Sequence, residues 1–270
     1  MPADFSGSGV PGDLAPRARP RELEALAGHL ARRGPQAVAA IPLARRLEVW
    51  EQVIEALLEP GSPERSALLP RLLESSRLSA EGLTEGLEIV LGGASGASAA
   101  ALARRAGARA DGLAGATPRT LAGVVLAGNI PGLAVQSLLP ALLLGRPLLL
   151  KSASAEPWFA PALVAALVAR EPALADAYAA VTFPGDDEEA LTAAFGEVDP
   201  LLAYGGAEAA GSLAARFGPR LVAHGPKASV AFVGAEVDLV GTARGLARDI
   251  ALFDQRGCLS VQAVYTEGDP

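Results

Sequence analysis

The segment spanning residues 121–151 constrains the fold of this chain more than any other. It reads as a buried strand at 123–127, a polar turn at Gly128 and Asn129, a helix that opens after Pro131, and a second buried strand at 147–151. A strand, a helix and a second strand in this order predict one right-handed βαβ unit. An open parallel sheet binds its ligand beyond the carboxyl ends of its strands, and Asn129 is the first polar side chain there.

A membrane-spanning helix is the rival interpretation of this segment. No charged side chain occurs from residue 120 to residue 145, and a span needs about 20 apolar residues. However, Asn129, Pro131, Gln136 and Pro140 interrupt the run, and backbone groups freed by proline would need partners inside lipid. We therefore favour the βαβ unit.

Composition excludes several classes of protein. The chain has 270 residues, half of them apolar, which suffices for a sizeable core. Its 23 Lys and Arg against 30 Asp and Glu, without a basic block, argue against a nucleic-acid partner. A single cysteine excludes an internal disulfide, the N-terminus has no signal segment, and two histidines with one cysteine match no familiar zinc spacing. We expect a cytoplasmic protein without a metal ion.

The N-terminal half predicts an arm followed by helices. Residues 1–20 are rich in Gly and Pro and predict a flexible arm. Apolar residues at spacings of three and four then predict a helical lead-in over residues 21–110. Its helices are expected at 21–33, 42–58, 63–75, 80–91 and 97–106.

From residue 120 strands and helices alternate, which predicts an α/β fold with a doubly wound parallel sheet. Beyond the first unit we expect strands at 179–183 and 201–204, two short strands within 220–233, a β-rich run at 261–266, and helices at 157–170, 186–195, 207–217 and 239–252. Neither the G-x-G-x-x-G fingerprint nor an ATP-binding loop occurs. The pair Gly205–Gly206 suits a phosphate-binding turn, but it equally suits a tight turn without a ligand.

The single cysteine, Cys258, lies between Gly257 and Leu259 in a predicted loop. A glycine-flanked loop beside Arg256 would expose the thiol and favour its thiolate form, which are the conditions for a reactive cysteine. A lone cysteine is more often a small buried apolar residue. Spacing alone leaves both interpretations open.

Five short motifs in one order resemble the aldehyde dehydrogenase superfamily. They are G-N-I-P at 128–131, the strand that ends in Lys151 with small residues after it, Y-G-G at 204–206, H-G-P-K at 224–227 and D-Q-R-G-C-L-S-V-Q at 254–262. Within the superfamily the chain is most similar to LuxC-type acyl-CoA reductases, which reduce fatty acyl groups to long-chain aldehydes. The resemblance covers about residues 121–266, and it implies a cofactor domain at 120–240 and the start of a catalytic domain at 241–270.

The resemblance implies a covalent mechanism. Cys258 would attack the thioester carbonyl of an acyl-CoA and form an acyl-enzyme. Asn129, together with the backbone N–H of the cysteine, would hold the oxyanion. The superfamily's water-activating glutamate is replaced by Ala223, which suits a reductase because the acyl-enzyme would then resist hydrolysis. His224 would serve as a proton donor or help to deprotonate Cys258, and a structural role is an equal alternative.

The resemblance also implies a nicotinamide cofactor. Lys151 matches the lysine that contacts the adenosine ribose, and Gly205 and Gly206 match the turn that passes the pyrophosphate. Ser154 stands where a ribose-binding glutamate is common. Its short, uncharged side chain leaves room for a 2′-phosphate and favours NADPH, with NADH the alternative.

A second departure from the family lies at the C-terminus. Relatives continue well past the cysteine, whereas this chain stops at Pro270. We expect a fragment of a longer protein in preference to a degenerate relative. The full-length protein would be a homo-oligomer without a membrane span, and an acyl-transferring protein is a further expected partner. The rival functions are a short-chain acylating aldehyde dehydrogenase that uses NADH and a non-catalytic relative that binds a nucleotide or a protein.

Overall fold

A computed structural model of the chain describes residues 18–109, 112–113 and 120–267. The predicted arm falls mostly on residues 1–17, which lie outside the described residues. The first helix begins at Pro20, the last residue of the predicted arm and one residue before the predicted start of the helix.

Five helices form the lead-in, as predicted: α1 (Pro20–Ala39), α2 (Leu43–Leu58), α3 (Pro63–Ser76), α4 (Ala80–Gly93) and α5 (Gly96–Arg105). Three of them begin at a serine whose side chain accepts a hydrogen bond from the backbone N–H three residues later, namely Ser62, Ser79 and Ser95. Such caps satisfy N–H groups that have no partner inside the helix. The helix starts are therefore set locally by the sequence.

The predicted end of the first helix, at residue 33, is wrong. α1 continues through Pro35 to Ala39, because its last turns are held by tertiary packing. Val38 is fully buried, and a Cβ atom at Gly34 would lie 2.5 Å from the Cβ of Pro147. Burial against the sheet outweighs the helix-breaking tendency of proline.

A parallel five-stranded sheet follows a short antiparallel pair, β1 (Ala108–Arg109) and β2 (Gly112–Leu113). Its elements are β3 (Ala122–Val125), α6 (Val135–Leu144), β4 (Leu148–Ser152), α7 (Phe159–Arg170), β5 (Tyr178–Thr182), α8 (Glu188–Phe195), β6 (Leu201–Tyr204), α9 (Ala207–Phe217) and β7 (Leu221–His224). The strand order is β5-β4-β3-β6-β7, and every pairing is parallel. The predicted doubly wound sheet and its opening βαβ unit are confirmed.

Several predicted boundaries are displaced by local chemistry. The sixth helix begins at Val135 and not directly after Pro131, because Gly132 has a φ of +94° that no helix accommodates. The next helix begins at Phe159 because the Glu156 carboxylate accepts hydrogen bonds from the backbone N–H groups of Trp158 and Phe159. The strands agree with prediction to within two residues.

The C-terminal part forms a separate small sheet. β8 (Ser229–Val233) pairs in parallel with β9 (Val261–Thr266), and α10 (Leu239–Ala251) and a 3-10 helix (Leu252–Gln255) lie between them in the chain. The predicted domain division at residue 240 remains a prediction, although this pairing groups β8 with the C-terminal strand and not with the five-stranded sheet. Phe232, 79% exposed, stacks on the exposed Tyr265 and gives this small sheet an apolar face.

The main sheet is buried on both faces. Leu148 and Leu150 of β4 point into one core, which they share with the lead-in helices α2 to α5 and with α6 and α7. Leu149 points into a second core beside α1, α8 and α9. This arrangement explains why the strands read as continuous apolar runs. In the part of the chain that is described, no single helix is long and apolar enough to cross a membrane, although α4 and α5 together, bent by 43°, pass by length and composition alone.

We expect Gly123→Ala to destabilise the protein by about 1–3 kcal/mol, because the added methyl group would force neighbouring side chains in the packed core to move. A Cβ atom there would lie 2.7 Å from the Phe195 ring and 2.9 Å from Leu201. Urea unfolding would measure the change. Gly211→Ala in α9 is the matched control, since its Cβ would meet nothing within 4 Å and should stabilise the helix by up to about 1 kcal/mol. Equal stability of Gly123→Ala and the wild type would contradict the packing of α8 on β3.

Candidate functional site

The candidate site lies at the carboxyl ends of the central strands. The chain starts its sheet at β3 and then adds β4 and β5 on one side and β6 and β7 on the other. The order of the strands therefore reverses between β3 and β6, where open sheets of this kind bind ligands. Asn129 follows β3, and Gly205–Gly206 follow β6. The polar turns predicted from the sequence are thus neighbours.

Asn129 reaches the loop that carries the cysteine, which we call the cysteine loop (residues 253–260). Its side-chain Nδ2 donates a hydrogen bond to the carbonyl oxygen of Arg256 at 2.6 Å. An amide nitrogen has two N–H donors, and no second acceptor for this one lies among the described residues. The structure thus brings Asn129 to the backbone two residues before Cys258 and leaves one donor free, while the catalytic roles of both residues stay predictions.

Cys258 lies at the corner of a tight turn. The N–H of Ser260 donates to the carbonyl of Gly257 at 3.1 Å and closes the turn. The Cys258 side chain is exposed, and its carbonyl accepts a hydrogen bond from the Ser229 hydroxyl at 3.2 Å. The backbone N–H of Cys258 has no acceptor among the described residues. Among the described residues, one N–H of the Asn129 amide and the backbone N–H of Cys258 thus have no acceptor. Because the thiol is exposed, the buried apolar cysteine, one of the two alternatives left open, does not apply.

The backbone before the cysteine is strained. Phe253, Asp254 and Gln255 have φ values of 51°, 50° and 62°, in the left-handed region. This conformation costs roughly 1–2 kcal/mol for each residue other than glycine. The strain persists only if surrounding contacts hold the loop. One such contact is Phe253, which is buried against α4 at a place where a Cβ on Gly86 would lie 2.5 Å from the ring.

Two further contacts tie the loop to the lead-in helices. The two carboxylate oxygens of Asp254 accept hydrogen bonds from the backbone N–H and the hydroxyl of Ser79, each at 2.6 Å. These hydrogen bonds, chiefly that from the hydroxyl, lower the pKa of Asp254. The Arg256 guanidinium donates to the Ser76 carbonyl at 3.0 Å. The sequence offered no local signal for these contacts, since the partners are 175 and 180 residues apart.

Lys151 is a buried cation at the carboxyl end of β4. Only 3% of it is exposed, and burial lowers its pKa to about 8, with the charge of Asp186 acting in the opposite direction. Its ammonium group donates to the Ser152 carbonyl at 3.3 Å and lies 4.9 Å from the centre of the Phe183 ring. Within the described ranges, no carboxylate lies within ion-pair distance of it. A buried charge in these surroundings suits an anionic or hydroxyl-rich ligand.

The turn after β6 suits a phosphate group. Gly206 is the N-cap of α9, and no side chain in the described part of the chain caps this helix. Its first backbone N–H groups are therefore free to bind an anion, which the helix dipole also favours. A Cβ at Gly206 would meet no atom of the residues that are described within 4 Å, so their packing does not require glycine there. Lys151, the exposed Ser154 and this turn are therefore the residues that could hold the adenosine and pyrophosphate parts of a nicotinamide cofactor.

His224 ends β7 and is exposed. Its ring stacks on that of Tyr204, with 4.8 Å between centroids and 14° between planes, and the Ser137 hydroxyl donates to Tyr204 at 3.4 Å. Among the described residues, no hydrogen bond joins His224 to Cys258. The predicted role of His224 in proton transfer is therefore not supported by a hydrogen bond to Cys258 among these residues. Its neighbour Ala223 presents only a methyl group on β7.

Similarity to known proteins agrees with this geometry. Residues 82–270 match the family model described as acyl-CoA reductase (LuxC). A long-chain acyl-protein thioester reductase of Aliivibrio fischeri is 32% identical over 168 residues, which are 60% of this chain and 35% of that protein. The chain spans about a third of the length of the curated relatives it matches.

Solved structures confirm the predicted aldehyde-dehydrogenase-like fold. The putative aldehyde dehydrogenase PutA of Anabaena variabilis has a TM-score of 0.70 and 19% identity, over 92% of this chain and 53% of that one. An acetylating aldehyde dehydrogenase from Geobacillus thermoglucosidasius has a TM-score of 0.72 and 13% identity, over 92% and 55% of the two chains. The family model matches well over half of the residues, and the chain belongs to the acyl-CoA reductase (LuxC) family.

Proposed function

We propose that this chain carries the acyl-transfer site of a reductase that converts a long-chain acyl thioester to the aldehyde, with Cys258 as the nucleophile. The observation that carries the proposal is the hydrogen bond from Asn129 to the backbone two residues before an exposed cysteine. It supports an arrangement in which a thiol and an amide donor act on the same carbonyl group. Family membership and the name of the Aliivibrio fischeri relative support the choice of substrate class.

The first step forms a thioester with the protein. The Cys258 thiolate attacks the carbonyl carbon of the acyl donor, a tetrahedral oxyanion forms, and its collapse expels the donor's thiolate, which takes up a proton. The free N–H of the Asn129 amide and the backbone N–H of Cys258 stabilise the oxyanion. Donors fixed in advance lower the barrier most, because they need no reorganisation during the reaction.

The thioester must then survive until it is reduced. Hydrolysis would need a general base that activates water, and the position at which the superfamily supplies a glutamate carries Ala223 in this chain. A bound nicotinamide would supply the hydride that reduces the thioester to the aldehyde. The Cys258 thiolate leaves in that step and is regenerated.

For the cofactor we propose NADPH. The buried ammonium group of Lys151 would face the adenosine ribose, and the exposed Ser154 leaves space for a 2′-phosphate without a competing carboxylate. Gly205 and Gly206 would let the pyrophosphate approach the N-terminus of α9. His224, beside Tyr204 at the same edge of the sheet, is our candidate for proton transfer.

For the acyl donor we propose a long-chain thioester of coenzyme A or of a partner protein that transfers the acyl group. The curated relative from Aliivibrio fischeri is named for an acyl-protein thioester, which favours the protein-bound form. The two donors share the same thioester carbonyl, so the chemistry at Cys258 is the same for both.

We expect the chain incubated with a long-chain acyl-CoA to gain the mass of one acyl group, and Cys258→Ala to gain none. Asn129→Ala should acylate about 100-fold to 1,000-fold more slowly, because one oxyanion donor is lost. Intact mass spectrometry follows both, with iodoacetamide alkylation of Asn129→Ala as a control for exposure of the thiol. Acylation of Cys258→Ala, or an unchanged rate in Asn129→Ala, would contradict the proposal.

We expect NADPH affinity to fall as the pH rises through about 8, the pKa of Lys151, because the ammonium is charged below that pH and neutral above it. The decrease should reach up to about fivefold between pH 8 and 9, because the charged fraction of such a group falls from about a half to about a tenth. The affinity for NADH, which lacks the 2′-phosphate, should change less with pH. Fluorescence titrations would measure both, and Lys151→Met should bind weakly at every pH. A pH-independent NADPH affinity in the wild type would count against Lys151 as a ligand.

A further inference from the structure

Asp254 makes contacts that the chemistry assigned to Cys258 does not use directly. Its carboxylate accepts from both donors of Ser79, and the Ser79 hydroxyl also accepts from the N–H of Gly82 at 3.0 Å. The cysteine loop is thereby linked to the first turn of α4. A Cβ at Gly82 would lie 2.3 Å from the Asp254 carboxylate, so only glycine permits this close approach.

This link is not needed to cap the helix. Ser79 already supplies the N-cap of α4, just as Ser95 supplies that of α5 without any partner from the cysteine loop. What the Asp254 carboxylate adds is a fixed position for the loop. Asp254 is the middle one of three consecutive residues in the left-handed conformation. Without an anchor, these residues would relax towards ordinary backbone conformations.

The position of the loop determines where the thiol lies. Between Asp254 and Cys258 there are three residues, and the carbonyl of one of them, Arg256, accepts the Asn129 hydrogen bond. The Arg256 guanidinium is also held by the Ser76 carbonyl. The loop thus forms hydrogen bonds with the end of α3 and the start of α4 on one side and with the turn after β3 on the other. Without the Asp254 contact, the loop would keep, among the described residues, only Phe253 and the Arg256 guanidinium as anchors on the helices, and the Arg256 carbonyl would be held less firmly beside Asn129.

We propose that Asp254, through its pair of hydrogen bonds to Ser79, is a positioning residue that holds Cys258 beside the Asn129 amide. This inference rests on the proposed acyl-transfer function and deepens it. It also gives the helical lead-in, which carries no motif, a direct part in the site.

The test compares Asp254→Ala, Asp254→Asn and Ser79→Ala with the control Ser95→Ala, all in the full chain. Acylation by long-chain acyl-CoA should slow by about tenfold or more in Asp254→Ala and Ser79→Ala, because small misplacements of reacting groups are costly. Asp254→Asn keeps one oxygen that can accept a hydrogen bond from Ser79, and it should acylate at most of the wild-type rate. Ser95→Ala, which loses only a helix cap, should acylate at the wild-type rate even if its melting temperature falls as far as that of Ser79→Ala.

The double variant Asp254→Ala/Ser79→Ala should be no slower than the slower single variant, since both remove the same contact. Wild-type acylation rates in Asp254→Ala and Ser79→Ala would overturn the positioning role while leaving the proposed function intact. A wild-type chain that does not acylate would overturn the proposed function instead. In that case the iodoacetamide rate of Cys258 decides the positioning role: a change of more than about threefold in Asp254→Ala supports it, and an unchanged rate rejects it.

Discussion

The hydrogen bond from the Asn129 amide to the Arg256 carbonyl is the contact on which the site depends. It joins the turn after the central strand to a loop 127 residues later in the chain. The loop reaches this place in a strained conformation, and contacts with the lead-in helices hold it from the other side. The site is thus built by three parts of the chain: the five-stranded sheet, the cysteine loop and the helical layer.

The surroundings of Cys258 and of Lys151 suit two different kinds of ligand group. Cys258 lies exposed at a turn, and its backbone N–H, which has no acceptor among the described residues, is a donor of the kind that stabilises an oxygen as it gains negative charge. Lys151 instead lies buried at the end of β4, where its charge is costly without a ligand. The first arrangement suits a reacting carbonyl group, and the second suits a cofactor that brings its own negative charge or hydroxyl groups. Both lie at the same edge of one sheet.

Local sequence patterns were sufficient to predict the sheet. Two apolar runs on either side of a helix at residues 121–151 predicted the βαβ unit. The alternation of strands and helices that follows predicted that the sheet is parallel. The errors arose where distant packing outweighed local preference. The spacing of apolar residues predicted an end of α1 at residue 33, but burial of Val38 extends the helix. Gly132 delays the start of α6 through a backbone angle that composition does not reveal.

The site was only partly predictable. Motifs in a familiar order pointed to Asn129, Lys151 and Cys258, and the structure places Asn129 at the cysteine loop and Lys151 in a buried position at the strand end. The link between Asp254 and Ser79 could not be predicted, because neither residue stands out in its own segment and their contact exists only after folding. The stacking of His224 on Tyr204 was missed for the same reason.

The most direct test of this account is a crystal structure of the chain acylated on Cys258. The account predicts that the thioester carbonyl oxygen lies within about 3 Å of Asn129 Nδ2 and of the Cys258 backbone nitrogen, the usual length of such hydrogen bonds. It also predicts that Asp254 is still bound to Ser79. A carbonyl oxygen that points away from Asn129, with the acyl group attached and the loop intact, would contradict it.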